Sequence, residues 1–138
     1  MSGQREKFLR VLRLEMEDLE DHICQMIADY REREARREIT EHVCLGNVAV
    51  LGNESRAVGH FRRILDGIRA DDYGSLDALI DDVRGRFDRE VSASGLSRAA
   101  CVFAQRKIHR VRAYVTHEWD PHDKEVNGPA PPAPARRA

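Results

Sequence analysis

The sequence predicts an all-α protein, an antiparallel four-helix bundle with a long N-terminal helical hairpin, on three observations. All five prolines lie after residue 120, so the first 120 residues keep every backbone donor that a long helix needs. Apolar residues in that stretch recur three and four residues apart. Charged residues make up 34% of the chain at a net charge of −1, which is typical of long helices with paired surface charges.

The first helix is predicted by an unbroken heptad pattern. Its apolar positions recur at alternating spacings of three and four: Leu9, Leu12, Met16, Leu19, Ile23, Met26 and Tyr30. Phe8 and Ile27 widen this stripe, which suits a helix packed against two neighbours in a bundle. The charged run at residues 31–38 then indicates a solvated helix end or a corner between helices.

A second helix is predicted over residues 39–68, although part of it has a rival interpretation. The three-and-four spacing is kept by Cys44, Val48, Leu51, Ser55, Val58, Phe61, Leu65 and Ile68. Residues 42–53 also fit a tight β-hairpin around Gly46 and Asn47. We favour the helix, because an isolated hairpin between long helices has no sheet to join. Gly52 and Gly59 lie seven residues apart, and we expect them to allow close approach of a neighbouring helix.

Two shorter helices follow a break at residues 70–75, where Ser75 is the expected N-cap. The third is predicted from Leu76, Leu79, Ile80, Val83 and Phe87, and it ends at a second break over residues 92–95. The fourth spans residues 96–118 and is expected to bury Ala100, Phe103, Ile108, Val111 and Val115. We therefore assign residues 1–119 to one helical domain and the Pro/Ala-rich residues 120–138 to a disordered tail.

Composition excludes several classes of function and favours the cytoplasm. No run of about 18 apolar residues is present, so we expect no membrane span. The first residues lead into a charged helix and the three cysteines are widely spaced, which favours reduced thiols and a cytoplasmic location. No Gly-rich phosphate loop, Ser-His-Asp set or paired-cysteine zinc pattern is present, so we expect no cofactor and favour a non-enzymatic role.

The first functional hypothesis is a protein that works through protein–protein contacts or self-association. Val11 and Leu14, with Phe8, lie off the heptad stripe of the first helix or at its edge. They form a surplus apolar patch that a lone bundle would leave exposed. An adaptor, assembly factor or small regulator fits this pattern.

A metal-binding bundle of the ferritin-like, di-iron type is the first alternative. Asp18 and His22 are four residues apart, as are Glu38 and His42, so each pair shares a helix face. No histidine follows a glutamate at the Glu-x-x-His spacing of such sites. A corner near residue 36 would offset the two histidines by about 12 Å along the helix axis, which argues against one shared ion.

The second alternative is contact with nucleic acid through the fourth helix. Residues 98–112 contain five bases and no acid, among them Arg106, Lys107 and Arg110. Residues 71–90 carry seven acids against three arginines, so the two helices are expected to lie antiparallel and neutralise one another. The balanced net charge makes nucleic acid an unlikely partner.

Overall fold

The computed structural model describes residues 3–116, which form four α-helices and one short turn of 3₁₀ helix. The helices are α1 (Gly3–Ala35), α2 (Glu41–Asp66), α3 (Leu76–Ser94) and α4 (Arg98–Val115), and the 3₁₀ turn is Ala70–Asp72. The predicted all-α class is confirmed, and residues 42–53 are helix, not hairpin. The predicted tail at 120–138 lies outside the described residues.

Hydroxyl side chains begin three of the helices. Thr40 accepts a hydrogen bond from the Val43 N–H, Ser75 from the Ala78 N–H and Ser97 from the Ala100 N–H. Each cap satisfies a backbone donor that has no partner within its helix. The expected cap at Ser75 is confirmed, whereas the expected break at residues 92–95 begins too early, since α3 continues to Ser94.

Two left-handed residues mark the corners. Gly95 ends α3 with φ of 62°, and its N–H donates to the Val91 carbonyl. Arg37 has the same φ of 62° in the corner between α1 and α2, where the backbone reverses within five residues. This region favours glycine, so the corner at Arg37 is a mildly strained position.

The core is one apolar cluster to which all four helices contribute. The heptad positions of α1 turn inward as predicted, with Leu9, Leu12, Met16 and Ile23 buried and Leu19, Met26 and Tyr30 partly buried against the core. From α2 and α3, Phe61 and Phe87 stack with their ring centroids 4.3 Å apart. From α4 the buried positions are Ala100, Cys101, Ala104, Ile108, Val111 and Val115.

Polar contacts between helices fix an antiparallel register. On the α1–α2 side, an Arg13 Nη donates to the Leu65 carbonyl at 2.9 Å, and Arg62 pairs with Glu17 and Glu20. Between α1 and α4, the Lys107 ammonium lies 2.8 Å from Glu15. Between α3 and α4 the bridges are Arg98–Asp88 at 3.0 Å and Arg112–Asp77 at 3.3 Å, which confirms the expected antiparallel neutralisation.

The first two helices are longer than the last two, and the excess lies at one end. His60 of α2 contacts Glu90 of α3, so at 1.5 Å per residue the end of α3 at Ser94 falls level with about residue 56 of α2. Residues 41–55 of α2 and the facing part of α1 therefore extend beyond the four-helix section. We call this part the two-helix overhang.

Two packing expectations are wrong. Phe103 is 42% exposed, because α4 turns Cys101 and Ala104 inward in its place. Gly52 and Gly59 do not admit a neighbouring helix at close range. A Cβ built at Gly52 meets nothing within 4 Å, and one at Gly59 meets only an arginine side chain at 4.0 Å.

Candidate functional site

The predicted patch on α1 is reduced to one exposed side chain. Phe8 is fully buried and Val11 is partly buried against the core, so neither offers a surface to a partner. Leu14 is 53% exposed. A single exposed leucine is common on protein surfaces and does not by itself define a site. That Leu14 contacts a partner stays a prediction.

The two predicted pairs of metal ligands lie at different levels of the α1–α2 hairpin. Asp18, His22, Glu38 and His42 are all exposed. His22 lines a groove with Glu54 and Val58, whereas His42 lies in the first turn of α2, so the two histidines are roughly 20 Å apart along the axis. The corner falls at residues 36–40, later than expected, which makes the offset larger than predicted. Residues 3–116 hold no group of three or more His, Cys, Asp and Glu side chains that could bind a metal ion.

The three predicted basic residues of α4 have different surroundings. Lys107 is ion-paired with Glu15. The Arg106 guanidinium lies over the Phe103 ring, 6.0 Å from its centroid. Arg110 has no ion pair within residues 3–116. Only two of the three cations are therefore available to an external anion.

The structure brings out a second apolar seam on α2, distinct from the one that faces α1. Residues seven apart share a helix face, and this seam combines two such series. Its positions in chain order are Val43, Gly46, Val50, Asn53, Ala57, His60 and Ile64.

α3 covers only the second half of this seam. Ala57 is fully buried and Ile64 is partly buried in the core. His60 Nδ1 lies 2.6 Å from a Glu90 carboxylate oxygen, and this hydrogen bond is the main reason that the pKa of Glu90 is lowered, followed by one from Ser94. The second half of the seam is thus an interhelical interface.

The first half of the seam is bare, because α3 ends before reaching it. Val43 is 42% exposed and Val50 is 57% exposed, against 0% for Ala57. Leu45, at 60% exposed, and the exposed Ala49 lie beside them. We call this surface the uncovered strip; its members are Val43, Leu45, Gly46, Ala49, Val50 and Asn53.

The uncovered strip carries no charge. Residues 43–53 contain no Asp, Glu, Lys or Arg, in a chain of which 34% is charged. Because Gly46 and Ala49 have little or no side chain, the middle of the strip is a shallow depression. A Cβ added at Gly46 would meet nothing within 4 Å. A helix laid on the strip would pack between the raised Leu45 on one side and Val43 and Val50 on the other.

Two of the three cysteines are buried. Cys44 and Cys101 lie in the interior, whereas Cys24 is exposed. Burial raises the pKa of the Cys44 thiol, and a hydrogen bond with Glu34 acts in the same direction. A thiol with a raised pKa is a poor nucleophile, so Cys44 serves the packing between α1 and α2.

The sequence contains a signal for the uncovered strip beside the one that predicts the second helix. Over residues 42–53 that prediction rests on Cys44, Val48 and Leu51, which do face α1, with Cys44 and Leu51 buried and Val48 partly so. The second series, Val43, Val50, Ala57 and Ile64, is equally visible in the sequence. What the sequence does not reveal is where α3 stops covering it.

Comparison with known proteins finds no match: no protein-family model, curated protein or solved structure is significantly similar to this chain. Among the helices of residues 3–116, none combines the length and the apolar character needed to cross a bilayer. The surfaces of the protein itself are therefore the basis for assigning a function.

Proposed function

We propose that this is a non-enzymatic, cytoplasmic helical protein that acts through protein–protein contacts, as an adaptor, assembly factor or small regulator. We further propose that the uncovered strip forms one contact, with a second copy of the chain. One observation carries the proposal. A single seam of α2 is buried by α3 in its second half and exposed in its first half.

Continuity of the seam favours a helix as the occupant. Over Ala57, His60 and Ile64 the seam already packs against a helix, α3. The same three-and-four spacing continues over Val43, Gly46 and Val50, so a helix in line with α3 would find the same geometry there. Burying the exposed apolar area would contribute about 25 cal/mol per Å².

The absence of charge on the strip favours a second copy over an unrelated partner. In a two-fold symmetric contact each surface meets itself, so a surface with charge of one sign would repel its own copy. An uncharged strip of residues 43–53 has no such repulsion. The strip corresponds to about 16 Å of helix, so we expect a small interface and a dimer that dissociates on dilution.

The test is the solution mass of the full chain by light scattering over a range of concentrations. Wild-type protein is expected to shift from monomer to dimer as the concentration rises. Leu45→Glu/Val50→Glu is expected to remain monomeric, because two carboxylates on each strip would face those of the other copy. Helix content by circular dichroism should stay unchanged, since both side chains are more than half exposed.

Leu14→Glu is the matched control, since it also replaces an exposed leucine with a carboxylate, but on α1. Dimerisation that survives Leu14→Glu and is lost in the strip variant supports the proposal. If dimerisation is lost only in Leu14→Glu, the contact between copies would be assigned to Leu14 and not to the strip. A wild-type monomer at every concentration would contradict self-association through the strip.

A further inference from the structure

A second surface, on α4, differs from the uncovered strip in its charge. α4 contains no acidic residue. Its outward side carries Val102 and Phe103, which are 45% and 42% exposed, together with Arg106, His109 and Arg110. We call these five residues the basic face.

The other cations of α4 are neutralised by neighbouring helices. Arg98 pairs with Asp88 and Arg112 with Asp77 on α3, and Lys107 pairs with Glu15 on α1. Within residues 3–116, neither Arg106 nor Arg110 has an ion pair. The fold therefore leaves positive charge unbalanced at this one part of α4.

An apolar groove runs beside the basic face. It has a volume of about 330 Å³ and lies between α1, α2 and α4. Its floor is formed by the buried Ile23, Val58 and Ala100, and its apolar rim by Leu19, Met26 and Phe103. Arg106, Lys107 and Arg110 also line it, with Glu54 as the one acid among its lining residues.

The lining residues of the groove have the spacing of a helix-binding surface. On α1 they are Leu19, His22, Ile23 and Met26, and on α4 they are Ala100, Phe103, Arg106, Lys107 and Arg110, so each set recurs three and four residues apart along one helix face. These rows run along the helix axes for about 10–15 Å, which is two to three helical turns. Ala100, a small buried residue, forms the floor at one end of the groove, so a helix could lie close to the bundle there.

We propose that this groove and the basic face bind an amphipathic helix of a partner protein, with acidic residues flanking its apolar side. Apolar side chains at i, i+3 or i+4, and i+7 would fill the groove, and carboxylates would pair with Arg106 and Arg110. The inference rests on the proposed function in assuming a protein partner. It uses a surface separate from the uncovered strip, so each can fail without the other.

Charge complementarity favours an acidic helix over nucleic acid. A nucleic-acid interface pairs several phosphates with cations, whereas this groove is lined by only two arginines that have no ion pair within residues 3–116. The Phe103 ring already has the Arg106 guanidinium over it at 6.0 Å, so it is not an open platform for stacking a base. The apolar side chains of the groove would not contribute to binding phosphate.

The experiment selects ligands on the full-length protein from a displayed library of 16-residue helical peptides. The peptides keep leucines at heptad spacing, and each flanking position varies among Glu, Gln, Lys and Ser. Parallel selections use wild type, the charge-reversed Arg106→Glu/Arg110→Glu and the strip variant Leu45→Glu/Val50→Glu. A 20-nucleotide RNA is titrated against each protein by fluorescence anisotropy at rising salt.

We expect wild type and the strip variant to enrich glutamate at the flanking positions. The charge-reversed variant should bind the selected peptides at least fivefold more weakly and enrich lysine instead. Equal enrichment on all three proteins, or no preference for glutamate, would overturn the inference. RNA binding that is lost on charge reversal and weakens steeply with salt, without peptide enrichment, would overturn it in favour of nucleic acid.

The selection and the mass measurement distinguish the two proposals. A wild type that dimerises through the strip but shows no glutamate enrichment keeps the proposed function and removes this inference. If the protein is monomeric but enriches acidic helices, self-association is contradicted and the proposed binding at the groove is retained. Circular dichroism of Arg106→Glu/Arg110→Glu, whose changed side chains lie on the outward side of α4, checks that the fold is unchanged.

Discussion

Two phenylalanines have opposite surroundings in the bundle. Phe61 is buried and stacks on Phe87, whereas Phe103 is 42% exposed. The inward positions of α4 include Ala100 and Ala104, and Phe103 lies about 100° around the helix from Ala104. Phe103 therefore lies toward solvent, as part of the basic face.

Acid sensitivity is predicted at Asp82. The Tyr73 hydroxyl donates to the Asp82 carboxylate, and Arg86 Nε donates to it at 2.8 Å. These hydrogen bonds, Tyr73 first and Arg86 second, lower the pKa of Asp82 against the opposing effect of burial. Below about pH 4 the unfolded chain takes up this proton more readily than the folded protein, so the free energy of unfolding falls as the pH falls.

Urea unfolding of wild type and Asp82→Asn from pH 7 to pH 2.5 measures this effect. We expect wild type to be more stable at neutral pH by at most about 1 kcal/mol, since the group is partly exposed, and the difference to shrink as the pH falls below 4. Tyr73→Phe keeps the carboxylate and removes its main hydrogen-bond donor. The difference in unfolding free energy from Asp82→Asn should therefore be smaller for Tyr73→Phe than for wild type. A constant gap between wild type and Asp82→Asn at every pH would contradict the assignment.

Helix boundaries were predictable where a side chain sets them. Ser75 was identified as a cap because a break precedes it and a periodic apolar run follows it. The corner between α1 and α2 has no such signal. It depends on Arg37 in the left-handed region, which sequence spacing does not indicate for an arginine. The predicted corner near residue 36, and with it the alignment of α1 against α2, was wrong for this reason. The helices themselves were predicted well.

Two glycines on different elements should respond in opposite directions to alanine. Gly52 lies inside α2 with open space around its Cα, so Gly52→Ala is expected to stabilise the protein by about 0.5–1 kcal/mol. Gly95 ends α3 with φ of 62°, so Gly95→Ala is expected to destabilise it by about 1 kcal/mol. The measurement is the urea midpoint of each variant at low protein concentration. Changes of the same sign would contradict the helical interior at Gly52 or the cap at Gly95.

At the scale of the whole molecule, stability should differ along α2. Residues 58–64 lie in the four-helix section, whereas residues 47–53 lie in the two-helix overhang, beyond the end of α3. We expect amide hydrogens of 47–53 to exchange at least about tenfold faster than those of 58–64 in dilute protein. Hydrogen exchange resolved by NMR measures this. Equal protection along the whole helix would show that the overhang opens only with global unfolding.

The candidate surfaces were less predictable than the fold, because they depend on what is left uncovered. Heptad spacing identified the buried stripe of α1 and most of the core of α2. It placed Phe8 at the edge of the stripe and Val11 off it, in a surplus patch, although the bundle buries the first and partly buries the second. It did not select Val43 or Val50, since their exposure follows from the end of α3, which is distant in sequence. Local pattern fixes which faces are apolar, and only the assembled bundle decides which of them meet solvent.

The length of α3 determines how much of α2 is exposed. The strip is bare only because α3 and α4 turn back at Gly95, so its extent is the difference between two helix lengths. One added heptad in each of these helices would carry the turn about 10 Å further and cover Val50. One heptad removed would expose Ala57. Insertions and deletions around residues 92–97 could therefore lengthen or shorten the surface that α2 offers for contact, while every residue of the strip stays the same.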